Sequence, residues 1–240
     1  MGAMRCRTAL LVLIYVVAVI LLIPVLLVCM LFRARAPIVA VGKWGMRVSR
    51  RILGVPVDVR GMENVDASRP LVFMANHASF LDGPILFMRI PRPVRVIVKK
   101  GVGRIPIVGP GMRFMGFLTV DRKGGREGKA RIEMAIRAMR ENADSFLIFP
   151  EGTRTRDGRL GPFRRGGFFL AVESGAPIVP IAVRGTFAMM PRGQWYVRRG
   201  RVRVDILPPI PAGDYTIDTM PELMDRVRTA IRDGLEKGDA

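Results

Sequence analysis

The longest uncharged stretch of the sequence limits where this chain can fold. It runs from Thr8 to Phe32 as TALLVLIYVVAVILLIPVLLVCMLF, 25 residues without a charged side chain. As an α-helix this stretch is about 37 Å long, enough to cross the roughly 30 Å hydrocarbon core of a bilayer. Pro24, inside the stretch, predicts a kink or a break. The stretch therefore predicts a membrane-embedded N-terminal helical segment.

The residues that flank this stretch leave two questions open. Arg5 and Arg7 precede it and Arg33 and Arg35 follow it, so the charges give no orientation across a membrane. A cleaved signal peptide is the alternative, because Ala34–Ala36 resembles a cleavage site. The apolar run is longer than that of a signal peptide, and the two arginines crowd the site. The pattern therefore favours a retained anchor.

A second N-terminal segment, residues 36–53, divides into two faces when it is read as a helix. The cations lie on one face and the apolar side chains on the other: Lys43, Arg47, Arg50 and Arg51 against Val41, Trp44, Val48 and Ile52. This division is typical of a helix that lies in a membrane interface. A surface helix packed on the domain is the alternative. The sequence thus predicts a membrane anchor over residues 1–53 and a separate domain over 54–240.

The charge balance indicates an anionic partner. The chain has 39 Lys and Arg against 20 Asp and Glu, a formal net charge of +19. This charge suits a nucleic acid, an anionic membrane surface or a phosphorylated substrate. With one histidine and two cysteines, the sequence disfavours a zinc or iron site and a disulfide framework.

Short apolar runs alternate with helical patterns from residue 52 onward. The strand candidates are residues 54–60, 70–75, 94–98, 117–120, 145–149, 177–183 and 201–207. Residues 129–141 and 221–235 carry apolar side chains at helical spacing. Strands that alternate with helices predict an α/β fold, with a mixed, mostly parallel sheet flanked by helices. A hairpin near residues 195–207 would supply the antiparallel part.

The stretch ANHASFLD, residues 75–82, contains the only histidine, His77, and an aspartate five positions later. Residues five apart do not share a helix face, but they meet if the helix begins at Ser79. Asp82 could then orient the imidazole through Nδ1 and leave Nε2 as a general base. The same residues also fit a capping box, in which Asp82 only caps the helix. Both interpretations remain open at this point.

Three further motifs follow in the order GFLTVDR (116–122), FPEGTR (149–154) and IVPIAV (178–183). A glycine turn with an arginine, as in the second of them, can hold a phosphate through backbone N–H groups and a guanidinium. Each motif has a plain alternative. Asp121 and Arg122 could be a surface ion pair, Glu151–Gly152 an ordinary turn, and Pro180 an edge or bulge residue.

In this order, the four motifs resemble those of the glycerolipid acyltransferase family, the PlsC-type 1-acylglycerol-3-phosphate acyltransferases. Asn76-His77-x4-Asp82 resembles the first block of the family, residues 116–122 the second, 149–154 the third, and Val179-Pro180-Ile181 the fourth. The resemblance covers about 110 residues and is more specific as an ordered set than any one block. It also fits the N-terminal membrane-embedded helices of such enzymes.

The resemblance implies transfer of an acyl chain from a thioester to the sn-2 hydroxyl of 1-acylglycerol-3-phosphate, which gives phosphatidic acid. His77 would take the hydroxyl proton and Asp82 would orient the imidazole. The resemblance assigns substrate binding to the third block, and further cations are candidates at the same site. These substrate-binding candidates are Glu151, Gly152, Thr153, Arg154, Arg122, Lys99 and Lys100. Arg154 is the first choice for the phosphate, whereas Lys99 and Lys100 also fit a solvated charge pair.

This resemblance also implies the partners and the location. The chemistry needs no metal and no cofactor besides the acyl donor, which is acyl-CoA or acyl carrier protein. Both donors are cytosolic, so the implied location is the cell membrane with the catalytic domain facing the cytoplasm. The positive charge would then attract anionic membrane lipids, the lysophospholipid acceptor and an acidic carrier protein.

Two alternatives remain open. An acyltransferase with another acceptor, such as a lyso-ornithine lipid or another lysophospholipid, would use the same four blocks. A basic, membrane-bound binding protein without catalysis would also account for the charge and the anchor. The sequence carries no nucleic-acid module, and its aromatic residues are too sparse for base stacking, so nucleic acid is not an expected partner.

Overall fold

The computed structural model describes residues 2–99, 101, 103, 108–120 and 126–237. The helices are α1 (Gly2–Leu31), α2 (Arg35–Leu53), α3 (Asp82–Arg89), α4 (Val108–Phe114), α5 (Arg126–Asn142), α6 (Arg165–Ser174), α7 (Thr186–Met189) and α8 (Met220–Glu236). The strands are β1 (Val57–Arg60), β2 (Val72–Ala75), β3 (Val94–Lys99), β4 (Leu118–Val120), β5 (Ser145–Ile148), β6 (Ile178–Arg184) and β7 (Val202–Ile206).

The seven strands form one mixed sheet in the order β1-β7-β6-β2-β5-β3-β4. Neighbouring strands are parallel, except that β6 and β7 are antiparallel. This arrangement confirms the predicted α/β class and all seven strand positions. The predicted hairpin is wrong, because the antiparallel neighbour of β7 is β6 and residues 195–201 form no strand.

Pro180 lies inside the sheet and not at an edge. Its strand, β6, pairs with β2 on one side and with β7 on the other, so the edge alternative is wrong. The carbonyl of Pro180 accepts a hydrogen bond from Leu207 N at 2.9 Å, just beyond the last residue of β7. The ladder between β6 and β7 begins one residue later, at Ile181.

The central strand β2 is buried on both faces of the sheet. Successive side chains of a strand point to opposite faces. Val72 and Met74 pack into the cluster formed with α5, α6 and α8, whereas Phe73 and Ala75 pack into the cluster that includes α3. Full burial of a valine, phenylalanine or methionine side chain stabilises the folded state by about 1.5–3 kcal/mol. Burial on both faces makes the end of β2 a rigid platform for the residues that follow.

The two N-terminal helices form an antiparallel pair that packs against the domain through α2 and α3. Within the pair, Tyr15 Oη and Ser49 Oγ are 2.6 Å apart. Helix α1 is long and apolar enough to cross a membrane, and most of its side chains are exposed, up to 77% at Leu31. It continues through Pro24, so the predicted break is wrong.

Candidate active site

The first and third motifs meet because their strands are neighbours. His77 follows β2, and Glu151 follows β5, which pairs in parallel with β2. The carboxyl ends of parallel strands lie at the same edge of a sheet, where α/β proteins place their ligands. The motifs around His77 and Glu151 are 74 residues apart in sequence and in contact in space.

The His77 ring is held by a buried carboxylate. Nδ1 of His77 lies 2.9 Å from Oδ2 of Asp82, whose side chain is completely buried, while that of His77 is 19% exposed. A carboxylate can only accept hydrogen bonds, so Nδ1 carries the hydrogen and Nε2 has the free lone pair. The predicted contact between Asp82 and Nδ1 is therefore confirmed.

Asp82 also holds the backbone of the turn. The same Oδ2 accepts Ala78 N at 2.8 Å and Ser79 N at 2.7 Å. Helix α3 begins at Asp82 with Leu81 as its N-cap, so the predicted N-cap at Ser79 is wrong. Asp82 N donates to Ser79 O, while Ser79 Oγ donates to Met190 O, so the hydroxyl does not cap the helix as a capping box requires. The same oxygen of Asp82 therefore both orients the His77 ring and supports the turn.

Glu151 fixes the backbone on the other side of the histidine. Its Oε1 accepts His77 N at 2.7 Å, and its Oε2 accepts Gly161 N at 2.8 Å. Burial raises the pKa of the Glu151 carboxyl, and the two backbone donors lower it in part. Both carboxylate oxygens are thus occupied by the protein backbone. Glu151 connects the His77 turn to the loop that contains Gly161.

Two further contacts complete the support of His77. Its ring stacks on Phe149, with ring centroids 4.1 Å apart and planes inclined by 22°. Its carbonyl oxygen accepts Thr155 N at 2.8 Å. The backbone N–H, the backbone C=O, Nδ1 and one ring face of His77 therefore all have protein partners, which is the preorganisation that a positioned base requires.

The turn after Glu151 presents polar groups beside the histidine. Gly152 has φ +70°, and an added Cβ would come within 2.8 Å of the Arg164 side chain, so the position requires glycine. Thr153 is exposed and Arg154 is half-buried. Within the part of the chain that the structure describes, neither Thr153 N–H nor Arg154 N–H has a hydrogen-bond partner.

Among the residues that the structure describes, Arg154 has no carboxylate partner that would brace the loop. Asp157 Oδ1 accepts Thr155 Oγ1 at 2.8 Å and Arg159 N at 3.1 Å. Among the described residues no ion pair joins Asp157 to Arg154. The backbone of the next residue, Thr155, donates to His77 O, so Arg154 belongs to the turn that contacts the histidine.

Of the remaining predicted site residues, only the backbone of Lys99 is described. Lys99 is the last residue of β3, next to β5, and pairs in register with Val120 of β4. The backbone of Lys99 thus ends at the same edge as His77. Lys100 and Arg122 lie outside the described residues. Among the described residues no three His, Cys, Asp or Glu side chains are grouped as metal ligands.

Sequence reasoning missed three supporting residues. Asn76 and Val183 form two hydrogen bonds. Asn76 Nδ2 donates to Val183 O at 2.9 Å, and Val183 N donates to Asn76 Oδ1 at 2.7 Å. Its amide extends the pairing of β2 and β6 beyond Ala75. Ser79 Oγ donates to Met190 O at 2.8 Å, and Phe149 stacks on the imidazole. The position of Asn76, a polar residue directly after an apolar strand, was the sequence signal that could have indicated its supporting role.

Residues 56–184, which include His77, Asp82 and the turn at Glu151, match the model of the Acyltransferase family. The match covers 129 of the 240 residues. The chain belongs to the acyltransferase family. The motif resemblance seen in the sequence is thereby confirmed, and the matched region is the part of the sheet that carries the His77–Asp82 pair.

Two curated relatives within this acyltransferase family illustrate the extent of the similarity. The Brassica napus protein named 1-acyl-sn-glycerol-3-phosphate acyltransferase BAT2, chloroplastic, is 39% identical over 155 residues, 64% of this chain and 44% of that protein. The Saccharomyces cerevisiae 1-acyl-sn-glycerol-3-phosphate acyltransferase is 32% identical over 192 residues, 79% of this chain and 63% of that protein. The chain thus spans less than two thirds of the length of these relatives.

A solved structure shares the whole fold of this chain. The crystal structure of the 1-acyl-sn-glycerophosphate (LPA) acyltransferase PlsC from Thermotoga maritima superimposes with a TM-score of 0.83 at 24% sequence identity. The superposition covers 99% of this chain and 97% of the other. The α/β domain and the N-terminal helix pair therefore belong to one shared architecture.

Proposed function

We propose that the protein transfers an acyl chain from acyl-CoA or acyl carrier protein to the sn-2 hydroxyl of 1-acylglycerol-3-phosphate, giving phosphatidic acid. The observation that carries this proposal is the 2.9 Å contact of His77 Nδ1 with the fully buried Asp82. This arrangement leaves Nε2 as a base at the ligand-binding edge of the sheet. The names of the curated relatives support the same reaction.

In the proposed reaction the acceptor hydroxyl replaces the serine of a catalytic triad. Nε2 of His77 takes the hydroxyl proton while the hydroxyl oxygen attacks the thioester carbonyl carbon. Asp82 stabilises the imidazolium that forms. The C–S bond of the resulting tetrahedral intermediate then breaks, and His77 returns the proton to the leaving thiolate. A new ester bond and a free thiol are the products, and no electron acceptor or metal takes part.

The phosphate of the acceptor would bind at the glycine turn. Arg154 offers a forked guanidinium, and the Thr153 and Arg154 N–H groups have no partner in the described part of the chain. Thr155 N donates to His77 O at 2.8 Å, so this turn is directly attached to the base. Lys99, Lys100 and Arg122 are proposed as further cations of the same site, and Gly152 supplies the backbone shape.

Glu151 is assigned a positioning role in this proposal. Both of its oxygens accept backbone N–H groups, from His77 and from Gly161. It would therefore contribute to binding by holding the turn in place and not by contacting the substrate. Burial raises the pKa of its carboxyl against the lowering effect of these two backbone donors and of the His77 charge, and a carboxylate fixed in this way suits a support of the turn.

Residues 1–53 would anchor the domain of residues 54–240 to the cytoplasmic face of the cell membrane. Near its start α1 contacts the domain, where Thr8 Oγ1 accepts Val197 N at 3.2 Å. Helix α2 contacts α3 of the domain, where Lys43 Nζ lies 5.9 Å from the centroid of the Phe87 ring. Contacts of both helices with the domain favour a helix pair that lies along one leaflet, with its exposed apolar side in lipid.

A substrate panel tests the proposed reaction. The purified protein is incubated in detergent micelles with acyl-CoA or acyl carrier protein as donor. The acceptors are 1-acylglycerol-3-phosphate, lyso-ornithine lipid, other lysophospholipids and monoacylglycerol, and His77→Ala is the control. We expect phosphatidic acid from the first acceptor at the highest kcat/KM. A preference for lyso-ornithine lipid would assign a different acceptor, and a folded protein without turnover on any pair would indicate a binding protein.

A further inference from the structure

The segment from Pro191 to Arg201, here named the arginine loop, is rich in exposed cations. Its sequence PRGQWYVRRGR contains four arginines and no acidic residue. Its arginines and Trp195 are exposed, the latter to 54%, whereas Tyr196 and Val197 are buried. The loop thus exposes cations and one large aromatic ring, while its buried residues pack against the domain.

The arginine loop is fixed although it has no regular secondary structure. Gln194 Nε2 donates to Met189 O at 3.0 Å and to Tyr196 O at 2.6 Å. Arg198 N donates to the same Met189 carbonyl at 2.9 Å. These bonds close the loop on the end of α7 and determine which side chains face outward.

The membrane anchor lies directly against this loop. Val197 N donates to Thr8 Oγ1 in α1, and the Arg5 guanidinium lies 5.3 Å from the centroid of the Tyr196 ring. On the same side of α1 as Thr8, one and two helical turns further on, Val12 is 54% and Val16 is 51% exposed. The exposed surface of the loop is therefore continuous with the surface that the anchor would place in lipid.

The loop is also attached to the turn that contains His77. Ser79, completely buried, donates through Oγ to the carbonyl of Met190, the residue before the loop, at 2.8 Å. Ser79 N in turn donates to the Asp82 carboxylate. A short hydrogen-bonded path thus leads from the arginine loop to the candidate catalytic pair.

In the described part of the chain, no carboxylate pairs with the arginines of the loop. They are Arg192, Arg198, Arg199 and Arg201. Tryptophan and tyrosine are enriched at membrane–water interfaces, and exposed arginines near an anionic leaflet are attracted to its lipids. The composition fits lipid headgroups.

We propose that the arginine loop is a second membrane contact that binds anionic lipid headgroups through its arginines and inserts Trp195 into the interface. Together with α1, this contact would hold the His77 turn at the headgroup plane. The inference rests on the proposed membrane anchoring but not on the proposed acyl transfer. An acidic carrier protein is the other partner that the charge would suit. The continuity with the apolar face of α1 and the exposed tryptophan favour the membrane.

The two tryptophans of the chain provide a direct test. The full-length Trp44→Phe variant, in which Trp195 is the remaining tryptophan, is reconstituted in vesicles of phosphatidylcholine with phosphatidylglycerol. Part of the lipid carries brominated acyl chains, which quench tryptophan on contact. We expect quenching of Trp195 by bromolipid and protection from iodide, both stronger with phosphatidylglycerol than without it. The Trp195→Phe variant, which keeps Trp44, reports whether the anchor itself has inserted.

Removal of charge tests the role of the arginines. In the Trp44→Phe background, the double substitution Arg198→Gln/Arg199→Gln should weaken binding of the loop to anionic vesicles. The equilibrium constant for this binding should fall about 25-fold, roughly fivefold for each arginine. High salt should have the same effect on the parent protein. The matched control is Arg137→Gln/Arg228→Gln, whose exposed arginines lie on α5 and α8, across the sheet from α3. It should leave the quenching unchanged.

Three results would overturn the inference. In the first, Trp195 of the Trp44→Phe variant is quenched by iodide and not by bromolipid, although Trp44 of the Trp195→Phe variant is quenched by bromolipid. The second is shielding of Trp195 only when acyl carrier protein is added, which would assign the loop to the carrier. The third is an equal effect of the two arginine pairs. Failure of acyl transfer in the substrate panel would leave these fluorescence results unaffected, so the two proposals fail separately.

Discussion

Glu151 accepts the backbone N–H of His77 at 2.7 Å, across 74 residues of sequence. The same carboxylate accepts Gly161 N at 2.8 Å through its other oxygen. The base is therefore held through its backbone by one acid and through its ring by another, Asp82. The two acids have different tasks, and the variants below separate them.

Glu151→Gln should lower kcat by about 100-fold with little change in KM. The glutamine oxygen can accept one of the two backbone N–H groups, while its NH2 group faces the other donor, so the His77 turn shifts. A displacement of about 1 Å at a catalytic group costs this much in rate. Steady-state kinetics measure the effect, with Glu141→Gln, exposed on α5, as the control for the same chemical change. Wild-type kcat in Glu151→Gln would contradict the positioning role.

The stability of the protein should depend on pH through Glu151. Burial raises the folded pKa of this carboxyl above its usual value of 4.5. A raised folded pKa gives a contribution that is full below pH 4.5 and is lost as pH rises through the folded pKa. The Tm of wild type minus the Tm of Glu151→Gln should therefore decrease over that window and stay constant above it. Thermal unfolding in detergent over a pH series measures this difference. A difference that grows with pH would show that the fold favours the ionised carboxylate.

His77→Ala should lose turnover while the fold is retained. The side chain is the proposed base, and general-base catalysis contributes about 10²–10⁴-fold to a rate. Rate and Tm are measured on the same preparation. Retention of more than a few per cent of the wild-type rate (about 10⁻² of it or more) would remove the general-base role.

Asp82→Asn should reduce both rate and stability. The neutral amide no longer stabilises an imidazolium, so kcat falls strongly. Asp82 Oδ1 is buried without a partner among the described residues, so an amide NH2 placed there is buried unpaired and costs about 1–3 kcal/mol. Kinetics and thermal unfolding together measure the two effects. A loss of stability at unchanged kcat would leave Asp82 as a support of the turn alone.

Arg154→Lys should lower kcat/KM for 1-acylglycerol-3-phosphate, and Arg154→Ala should lower it further, by about 10- to 100-fold. Lysine keeps the charge but loses the guanidinium fork that matches a phosphate. The acceptor monoacylglycerol, which lacks phosphate, is the internal comparison, and Arg228→Lys on α8 is the surface control. Equal losses on both acceptors would contradict a phosphate-specific role.

The sequence by itself determined the seven strands, the helices α1, α2, α5 and α8, and the His77–Asp82 pair, but not α4, α6 or α7. The features that it determined are local. A strand or a helix follows from periodicity over a few residues, and five residues of backbone connect the imidazole to the carboxylate. The apolar run of α1 was readable for the same reason, because it is one continuous stretch. The start of α3 was placed three residues early, since the spacing does not reveal that Ser79 Oγ donates to the distant Met190 O and does not cap Asp82 N.

The tertiary structure alone decided which distant residues support the site. Glu151 reaches His77 because β5 lies beside β2, and Asn76 reaches Val183 because β6 lies on the other side of β2. The arginine loop resembled half of a hairpin in sequence. In the structure its backbone hydrogen bonds go to Met189 and Thr8, which leaves no partner strand. Such bonds depend on the order of strands in the sheet, and local hydrophobic periodicity carries no information about that order.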